Sequence, residues 1–422
     1  MMTHQSKLFG KTRKEVSSEE VSTNAQLLMR AGFIEKNLAG VYTYLPLGLR
    51  VHKKIEEVIR QEMNRLGAQE ILMPVLQNKE VWMTSGRWQD RVGGSMYQFT
   101  DSSGRELGLG PTHEEVITDI ISRHVHSYKD LPLYIYQIQT KFRDEPRAKS
   151  GLLRGREFVM KDLYSFARTA EESSAFYQKA HDAYLALFQR LGLRAFSVEA
   201  SGGTMSKKHS HEFMVVTPAG EDITIYCLSC GWAQNKEIAT IGEGDLCPRC
   251  QKILTQAKTV EGGNIFDQEI LFTSAQHAQY ADEAGVIQPI YMGAYGIGVG
   301  RAMGTIVEAY HDEAGIKWTP ATTPYHVHVL QLSQDHDYSQ KMMQELQQMA
   351  NDYDFLIDDR KLSAGQKLAE ADLIGIPLQV VIGDKAKPNI EVKYRTDGKR
   401  DLMKPADLSK VLKKLYAQEV IR

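Results

Sequence analysis

Two nearby stretches of the chain place arginines and carboxylates where they could bind a polyanion. Tyr136–Glu145 alternates polar and apolar residues, and Arg154–Asp162 carries two arginines, a ring, a methionine and a carboxylate at alternate positions. Strand side chains point to opposite faces with a period of two. The connector contains Pro146, Ser150 and Gly151, which suit a hairpin loop longer than a tight turn. We therefore predict an antiparallel hairpin with one charged face.

A nucleoside triphosphate suits that charged face. Arginine forks match phosphate oxygens, Phe158 could stack on a purine, and Glu145 could accept a hydrogen bond from an exocyclic amine. A second source of positive charge is GIGVGR, Gly296–Arg301, in which glycines allow close approach of the backbone. A helix that begins there would favour an anion at its N-terminus. Glycine turns at the start of helices are common, so this second motif indicates an anion site only in combination with the charged hairpin.

All four cysteines of the chain fall into two close pairs. Cys227, Cys230, Cys247 and Cys250 have the spacing C-x2-C-x16-C-x2-C. Two such turns can present four thiolates to a tetrahedral zinc ion, and four thiolates leave no open coordination position. We therefore predict a structural zinc site; the alternative is four free thiols in a reducing compartment. Disulfides are disfavoured because no sequence feature indicates secretion.

Composition excludes several classes of protein. The chain has 422 residues, is 42% hydrophobic and 25% charged, and carries a formal net charge of −2. This profile is that of a globular protein with two or three domains, and not of a uniformly basic nucleic-acid binder. No run of 18 apolar residues is present, so we predict no membrane span. The start lacks the apolar core of a secretory signal, and we expect a cytoplasmic protein.

Periodicity predicts the elements that must position these residues. Helical spacing occurs over Ser22–Gly32, Gly48–Gly67 and Glu171–Leu191, and a short apolar strand, AQEILMPVL, closes at Pro74. YMGAYGIGVGR predicts a strand, a glycine turn and a helix. We expect a mixture of helices and strands of the α+β class.

A composition shift at TPATTP, Thr319–Pro324, marks a linker between two domains. Strands and helices alternate beyond it, which favours a small mixed sheet covered by helices. We place a catalytic domain at 1–320, with the four-cysteine module at 223–255, and a second domain at 325–422. Lys and Arg outnumber Asp and Glu from residue 384 onward, and a solvated helix face and a polyanion contact both explain that excess.

Taken together, these motifs resemble class II aminoacyl-tRNA synthetases. FRDE, Phe142–Glu145, followed by Arg154, Phe158 and Asp162, resembles the second signature of that class. GIGVGR resembles the third signature, and the Gly48–Pro74 helix and strand resemble the first. LLMRAGFIEKNLAGVYTYLPLGLRVHKKIE, GPTHEEVITD, QIQTKFRDE, LLRGREFVMKDLYSF and GAYGIGVGR resemble the bacterial-type prolyl-tRNA synthetase family. DDRKLSAGQKLAEADLIGIP resembles its anticodon-binding domain.

The resemblance implies a fold, an activity and partners. The fold would be an antiparallel-sheet catalytic domain with helices, a zinc-ribbon-like insertion and a C-terminal α/β anticodon-binding domain. The activity would be ligation of proline to tRNA(Pro) through a prolyl-adenylate, with ATP as substrate and Mg²⁺ bridging the phosphates. Members are commonly homodimers, and Gly48–Pro74 could form the two-fold interface.

The resemblance also implies roles for the nucleotide-binding residues. Arg143 would bridge the proline carboxylate and the α-phosphate, and we assign the catalytic role to Arg143 and Arg301. Glu145 and Phe158 would hold adenine, while Arg154 and Arg301 would bind the outer phosphates.

Proline and anticodon ligands are implied in the same way. Thr112 and Glu114, in PTHEE, would contact the imino nitrogen. The other members of the predicted proline pocket are Met160, Asp162, Tyr164, the shared Arg143 and, beside it, His211 in HSHEF. Glu391 and Lys393, in IEVKYR, would contact anticodon bases, although an edge strand with solvated charges explains that pattern too.

The chain departs from the family pattern in places. Ala167 to Asp222 spans 56 residues, which leaves no room for the editing insertion of many bacterial members, so we predict no editing in cis. The four-cysteine module is unusual for the bacterial form, FDQEILFTS replaces an LGTKYS-like stretch, and SKKH lengthens the loop before Ser210. Two alternatives stay open: a synthetase for threonine, serine or glycine, and a noncatalytic paralogue that binds tRNA or protein.

Overall fold

The computed structural model describes residues 1–17, 20–148, 150–203, 205–206 and 210–417. They form two compact units. One comprises Met1–Asn37, Tyr42–Ile55 and Ile306–Arg422, and the other comprises Leu38–Val41 and Glu56–Thr305. Within the predicted SKKH insertion, positions 207–209 lie outside the described residues.

Helices occur in both units. They are α1 Thr23–Arg30, α2 Pro46–Arg65, α3 Lys79–Ser85, α4 Arg91–Gly94, α5 Glu114–His124, α6 Ala170–Arg190, α7 Leu271–Ala275, α8 Val299–Ala309, α9 His336–Gln347, α10 Ala364–Ile374 and α11 Leu408–Leu415. Among the described residues, no helix combines the length and the apolar character needed to cross a bilayer.

Strands make up the rest of the regular structure. They are β1 Met2–His4, β2 Ile34–Leu38, β3 Val41–Tyr44, β4 Gln69–Glu70, β5 Leu76–Asn78, β6 Tyr97–Thr100, β7 Glu106–Leu109, β8 Leu133–Phe142, β9 Glu157–Ala167, β10 Ala195–Ala200, β11 Ser210–Val216, β12 Asp222–Tyr226, β13 Ala233–Asn235, β14 Thr255–Glu269, β15 Gln279–Ala281, β16 Ile287–Pro289, β17 Tyr291–Gly298, β18 His311–Asp312, β19 Gly315–Ile316, β20 Val327–Gln331, β21 Phe355–Asp358, β22 Leu378–Ile382, β23 Ile390–Tyr394 and β24 Arg400–Met403.

A nine-stranded sheet organises the unit that contains the predicted hairpin. Its order is β11-β10-β13-β12-β14-β17-β9-β8-β4, and β11 also pairs with β14. The central pairings of β9 with β8 and β17, and of β14 with β17 and β12, are antiparallel. The predicted α+β class with an antiparallel catalytic sheet is therefore confirmed.

Helix α6 covers one face of this sheet. Its N-cap is Thr169, whose hydroxyl accepts from the Glu172 amide at 3.2 Å. Phe176, Tyr184 and Phe188 recur at helical spacing and are buried. Because a helix turns once in 3.6 residues, these rings lie on one stripe. The predicted helix Glu171–Leu191 agrees with the observed bounds within one residue.

The other unit is built on a mixed six-stranded sheet in the order β1-β21-β20-β22-β23-β24. Strands β21, β20 and β22 are parallel, while β23 and β24 pair antiparallel, as expected for an α/β anticodon-type domain. Val327, Val329, Phe355, Leu378 and Val380 are fully buried in its core.

The N-terminal strand modifies the predicted division of the chain at 320–325. Met2–His4 pairs in parallel with Phe355, Leu356 and Ile357, at the edge of the six-stranded sheet. The start of the chain therefore belongs to the same compact unit as its C-terminal part. Pairing between segments so distant in sequence leaves no local signal, so the linear division missed it.

The strand predicted over AQEILMPVL is largely absent. Only Gln69–Glu70 pairs with β8, and the next strand begins at Leu76. Between them the Met73 amide donates to the side chain of Gln137 at 2.9 Å. Pro74 has no amide hydrogen to give to a sheet ladder, which explains the interruption.

Candidate functional site

The predicted charged hairpin is formed by β8 and β9. The two strands pair in register from Leu133 opposite Phe166 to Phe142 opposite Glu157. One correction concerns the arginines: the strands end at Phe142 and begin again at Glu157, so Arg143 and Arg154 lie in the connection. The Arg143 amide still donates to the Arg156 carbonyl at 2.8 Å, which keeps the connection close to the sheet.

Most of the predicted nucleotide and proline residues line one cavity of 580 Å³. These residues are Thr112, Glu114, Arg143, Glu145, Arg154, Phe158, Met160, Asp162, Tyr164 and Arg301. Arg156 instead donates to the carbonyls of Glu145 at 3.0 Å and Ala39 at 3.3 Å, and so supports the loop.

Arg143 lines the cavity beside Phe158. Its guanidinium carbon is 5.4 Å from the centroid of the Phe158 ring, and its Nε donates to the Pro111 carbonyl at 3.3 Å. Burial and the positive charge of Arg301 lower the pKa of Arg143. An oxyanion bound between these two guanidinium groups would relieve their repulsion.

Three carboxylates hold the outer arginines, and the sequence prediction missed two of them, Glu221 and Glu261. Arg154 forms ion pairs with Glu145 at 2.8 Å and Glu221 at 2.7 Å. Arg301 pairs with Glu261 at 2.7 Å. Glu221 and Glu261 lie beside β12 and within β14, and only the strand order brings them to the hairpin. A single sequence does not reveal that order.

The other half of the cavity carries Thr112 and Glu114. Helix α5 begins at Glu114, and the Thr112 hydroxyl donates to the Glu114 carboxylate. The helix N-terminus favours a negative charge at this position. Glu114 is nevertheless only 3% exposed, so this carboxylate faces the cavity and not bulk solvent.

Asp162 lies in a buried polar network at the same end. Its carboxylate accepts from Lys141 at 2.7 Å, Gln137 at 2.9 Å and the Tyr164 hydroxyl at 3.0 Å. Gln137 and Lys141 are among the polar residues that alternate along Tyr136–Glu145, and the sequence prediction gave them no role. Polar residues at alternate positions in a buried strand were the available signal.

Two further buried charges lie next to Glu114. The Arg87 guanidinium lines the cavity and pairs with Glu115 at 2.9 Å, and Ser85 donates to the same carboxylate at 2.8 Å. Burial raises the pKa of Glu115 to about 7, because desolvation opposes its ionisation more than Arg87 favours it.

His113 is enclosed between these groups. It is fully buried, and its Nε2 lies 3.0 Å from the Pro74 carbonyl. Burial and the charge of Lys141 lower the pKa of His113 to about 4, although Asp162 acts in the opposite direction. The imidazole is therefore neutral at physiological pH and donates to that carbonyl.

His211 is not among the residues that line the cavity. Its Nδ1 lies 2.8 Å from the Tyr177 hydroxyl, and its ring centroid is 5.6 Å from that of His181. It pairs with Ile265 in the sheet, next to Asn264 and Phe266, which do line the cavity. The predicted role of His211 in proline binding stays a prediction. The histidine lies beside residues that line the cavity and does not line it itself.

The four cysteines come together as their spacing predicted. The Sγ atoms of Cys227 and Cys250 are 3.4 Å apart, those of Cys230 and Cys247 are 3.6 Å apart, and all four lie within 4.8 Å of one another. Zinc bound by four thiolates at about 2.3 Å requires sulfur separations of about 3.8 Å. The geometry and the donor set therefore fit a zinc ion.

In the other unit, the predicted anticodon residues lie on β23. Lys393 is held by both carboxylate oxygens of Asp372, at 2.6 and 2.7 Å, and Glu391 pairs with Arg400 at 3.0 Å. The side chain of Glu391 is more exposed to solvent than that of Lys393. The role of both in binding anticodon bases stays a prediction.

Comparison with known families agrees with this fold and site. Residues 97–310 match the tRNA synthetase class II core domain (G, H, P, S and T). Residues 326–415 match an anticodon-binding domain. Fold, cavity and both matches define a class II aminoacyl-tRNA synthetase, a class of enzymes that uses ATP.

Sequence relatives narrow this class. The proline–tRNA ligase of Bradyrhizobium diazoefficiens is 40% identical over 440 residues, which cover 95% of this chain and 98% of the relative. That of Halothermothrix orenii is 34% identical over 561 residues, covering 97% and 99%. The chain belongs to the proline–tRNA ligase family.

Solved structures show the same fold. The prolyl-tRNA synthetase of Cryptosporidium parvum, complexed with halofuginone and AMPPNP, superposes with a TM-score of 0.78 at 16% identity, over 94% of this chain and 78% of that one. The Giardia lamblia enzyme in complex with prolyl-adenylate gives 0.77 at 19% identity, over 93% and 78%.

The buried neutral His113 predicts a specific acid sensitivity. The folded state disfavours protonation of His113 until about pH 4, whereas the unfolded chain binds the proton near pH 6.5. Stability should therefore fall as pH drops from 6.5 to 4, by roughly 3 kcal/mol from this group. Thermal unfolding of the wild type and His113→Gln over this pH range should show a steeper loss in the wild type. Parallel curves would contradict the assignment.

Proposed function

We propose that this chain ligates proline to tRNA(Pro) in the cytoplasm through a prolyl-adenylate, consuming ATP and releasing pyrophosphate and AMP. One observation carries the proposal. A single cavity joins an arginine-rich half, lined by Arg143, Arg154 and Arg301, to a half that presents the buried carboxylate of Glu114. The first half suits a triphosphate and the second suits a small cationic imino group.

Arg143 would act at the junction of the two halves. In the first step the proline carboxylate attacks the α-phosphorus of ATP, and pyrophosphate leaves. The carboxylate is already ionised, so this step needs no general base. Arg143 would neutralise charge on both reacting groups and hold them together, since positioning and charge stabilisation supply most of such a rate enhancement.

The outer phosphates would replace carboxylates as partners of the arginines. Arg154 and Arg301 are oriented by Glu145, Glu221 and Glu261 at 2.7–2.8 Å. Phosphate oxygens accept the same forked donors. A bound triphosphate would therefore find both guanidinium groups already directed into the cavity, and Phe158 would offer its ring to adenine.

Glu114 would recognise the substrate nitrogen. Proline carries a secondary ammonium with two N–H donors and one positive charge. The buried Glu114 carboxylate, oriented by Thr112, offers acceptors and the opposite charge. Met160 and Tyr164 line the same part of the cavity and would contact the pyrrolidine ring.

Magnesium would be held at the acidic side of the cavity. Glu261, Asp222 and Asn264 line it, and Asn264 Oδ1 is buried with no hydrogen-bond partner in the described part of the chain. Carboxylate and amide oxygens are the protein ligands that Mg²⁺ prefers, so these residues fit the ion. When bound, Mg²⁺ would neutralise phosphate charge and orient the leaving pyrophosphate.

Zinc would stabilise the four-cysteine module. In the first turn the Gly231 amide donates to the Cys227 carbonyl at 3.0 Å, and in the second the Gln251 amide donates to the Cys247 carbonyl at 2.9 Å. The two turns thus have the same backbone arrangement. Both present sulfurs inward, so we propose one structural zinc ion per chain.

A homodimer and tRNA would complete the assembly. Leu72, near the end of the predicted first signature, and Leu76, just after it, are 75% and 51% exposed. Aliphatic side chains exposed this far favour a covered surface, and we propose that a second copy covers them. The unit built on the six-stranded sheet would bind the anticodon loop, with Glu391 among its contacts.

ATP–pyrophosphate exchange tests the reaction directly. Across a panel of amino acids, proline should support exchange, whereas threonine, serine and glycine should not. Arg143→Ala should lower the rate by a factor on the order of 10²–10³, because one charge-stabilising group is lost. Arg168→Ala is the matched control, since Arg168 pairs with Glu172 outside the cavity. Exchange with another amino acid, or with none, would refute the proposal.

Metal analysis tests the cysteine module. Protein purified without chelator should contain one zinc per chain, and Cys230→Ser should lose the metal and unfold at a lower temperature. The control Ser229→Ala changes the neighbouring residue of the same turn and should retain zinc. Wild-type protein without zinc would defeat this part of the proposal.

Editing provides a further test. The alignment with the Halothermothrix orenii relative exceeds the 422 residues of this chain by 139 positions, so that relative contains residues that this chain lacks. We expect alanyl-tRNA to be deacylated no faster in the presence of purified protein than in buffer alone. Deacylation well above the rate in buffer would contradict this expectation.

A further inference from the structure

Glu114 and Asp162 line the proline half of the cavity, and the buried Lys141 donates to Asp162. Glu114 is 3% exposed, Asp162 is 4% exposed and Lys141 is fully buried. Two carboxylates thus face a single ammonium group. This inference rests on the proposed function, because it concerns which of the two carboxylates receives the imino nitrogen of proline.

Asp162 is already occupied by protein donors. Its Oδ1 accepts from Lys141 at 2.7 Å, and its Oδ2 accepts from Gln137 at 2.9 Å and Tyr164 at 3.0 Å. The register explains the arrangement, since Gln137 lies directly opposite Asp162. A carboxylate offers about four acceptor sites, so most of those of Asp162 are used.

The other ionisable groups nearby contribute little to the net charge around Glu114 and Asp162. His113, with its Nδ1 4.0 Å from Asp162, is neutral near pH 7 because burial lowers its pKa to about 4. Arg87 forms an ion pair with Glu115 at 2.9 Å, so it is held by a carboxyl group other than Glu114 and Asp162. Arg143 lies toward the phosphate half and would receive the proline carboxylate.

We propose that Lys141 is a positioning residue that neutralises Asp162, so that Glu114 alone carries the net negative charge that receives the secondary ammonium of proline. Lys141 acts through Asp162 and does not contact the substrate. The imino half then has a net charge of one negative unit, equal and opposite to that of the ligand group. Asp162 shapes the floor of the pocket, while Glu114 binds the nitrogen.

A pair of substitutions separates this role from direct binding by Asp162. Asp162→Asn removes the partner of Lys141, and Glu114 is the other carboxylate that acts favourably on that ammonium. Lys141 would then compete with proline for Glu114, and the KM for proline should rise about tenfold or more. The KM for ATP should change by no more than about threefold.

Adding Lys141→Met to Asp162→Asn should restore proline binding. The competing ammonium is then absent and Glu114 is free again, so the KM for proline should return to within about threefold of the wild type. Replacing both members of a buried ion pair is tolerated better than removing one. If Asp162 itself bound the nitrogen, the second substitution would give no recovery.

Lys161 provides a matched control. It is fully buried on β9 next to Asp162 in sequence, but it points to the opposite face and donates to the Tyr184 hydroxyl and the Tyr295 carbonyl. Lys161→Met added to Asp162→Asn should leave the high KM for proline unchanged. Recovery with this control would show that the effect is not specific to Lys141.

The measurements are proline-dependent ATP–pyrophosphate exchange and the rise in unfolding temperature on addition of proline. If the wild-type protein shows neither proline-dependent exchange nor a rise in unfolding temperature with proline, the proposed function itself is refuted. A responsive wild type with a folded double variant whose KM for proline stays tenfold high would overturn only the role of Lys141. Should Asp162→Asn not fold, the double variant compared with the wild type gives the same decision.

Discussion

Antiparallel pairing of β8 with β9 is the constraint on which the rest of the site depends. Strand β9 is paired along both of its edges, with β8 and with β17, whereas the other edge of β8 pairs with β4 only at Ile135 and Tyr136. The ladder sets which side chains share a face, and a shift of one residue would turn Asp162 away from Gln137 and Lys141. The side-chain pattern of the two strands and their pairing thus specify the buried network together.

Charge is the second organising feature, and it is distributed in opposed pairs. A buried cation is costly without a carboxylate partner, and the buried Lys141 has one in Asp162. The partly exposed Arg87, Arg154 and Arg301 are paired with carboxylates too. Arg143 differs from these residues, because burial and the like charge of Arg301 both disfavour its positive charge. Three of the four arginines that line the cavity are thereby paired with carboxylates, and Arg143 is left to an anionic ligand.

Much of this arrangement could be predicted from sequence where the signal is local. The cysteine spacing, helix α6 and the hairpin follow from period and short motifs, and the family resemblance is confirmed by relatives that cover nearly the whole chain. Glu221 and Glu261 could not be predicted, because their position depends on the order of strands. The place of His211 beside Tyr177 was missed for the same reason.

Strand β1 has a consequence for how the chain is made. Met2–His4 pairs with Phe355–Ile357, so the partner of the first strand emerges from the ribosome only after more than three hundred intervening residues. Until then β1 has no partner strand, and β22, β23 and β24 of the same sheet, which follow β21 in the chain, are still to be synthesised. The six-stranded sheet is therefore completed late, whereas the β8–β9 hairpin of the nine-stranded sheet can form from neighbours already synthesised.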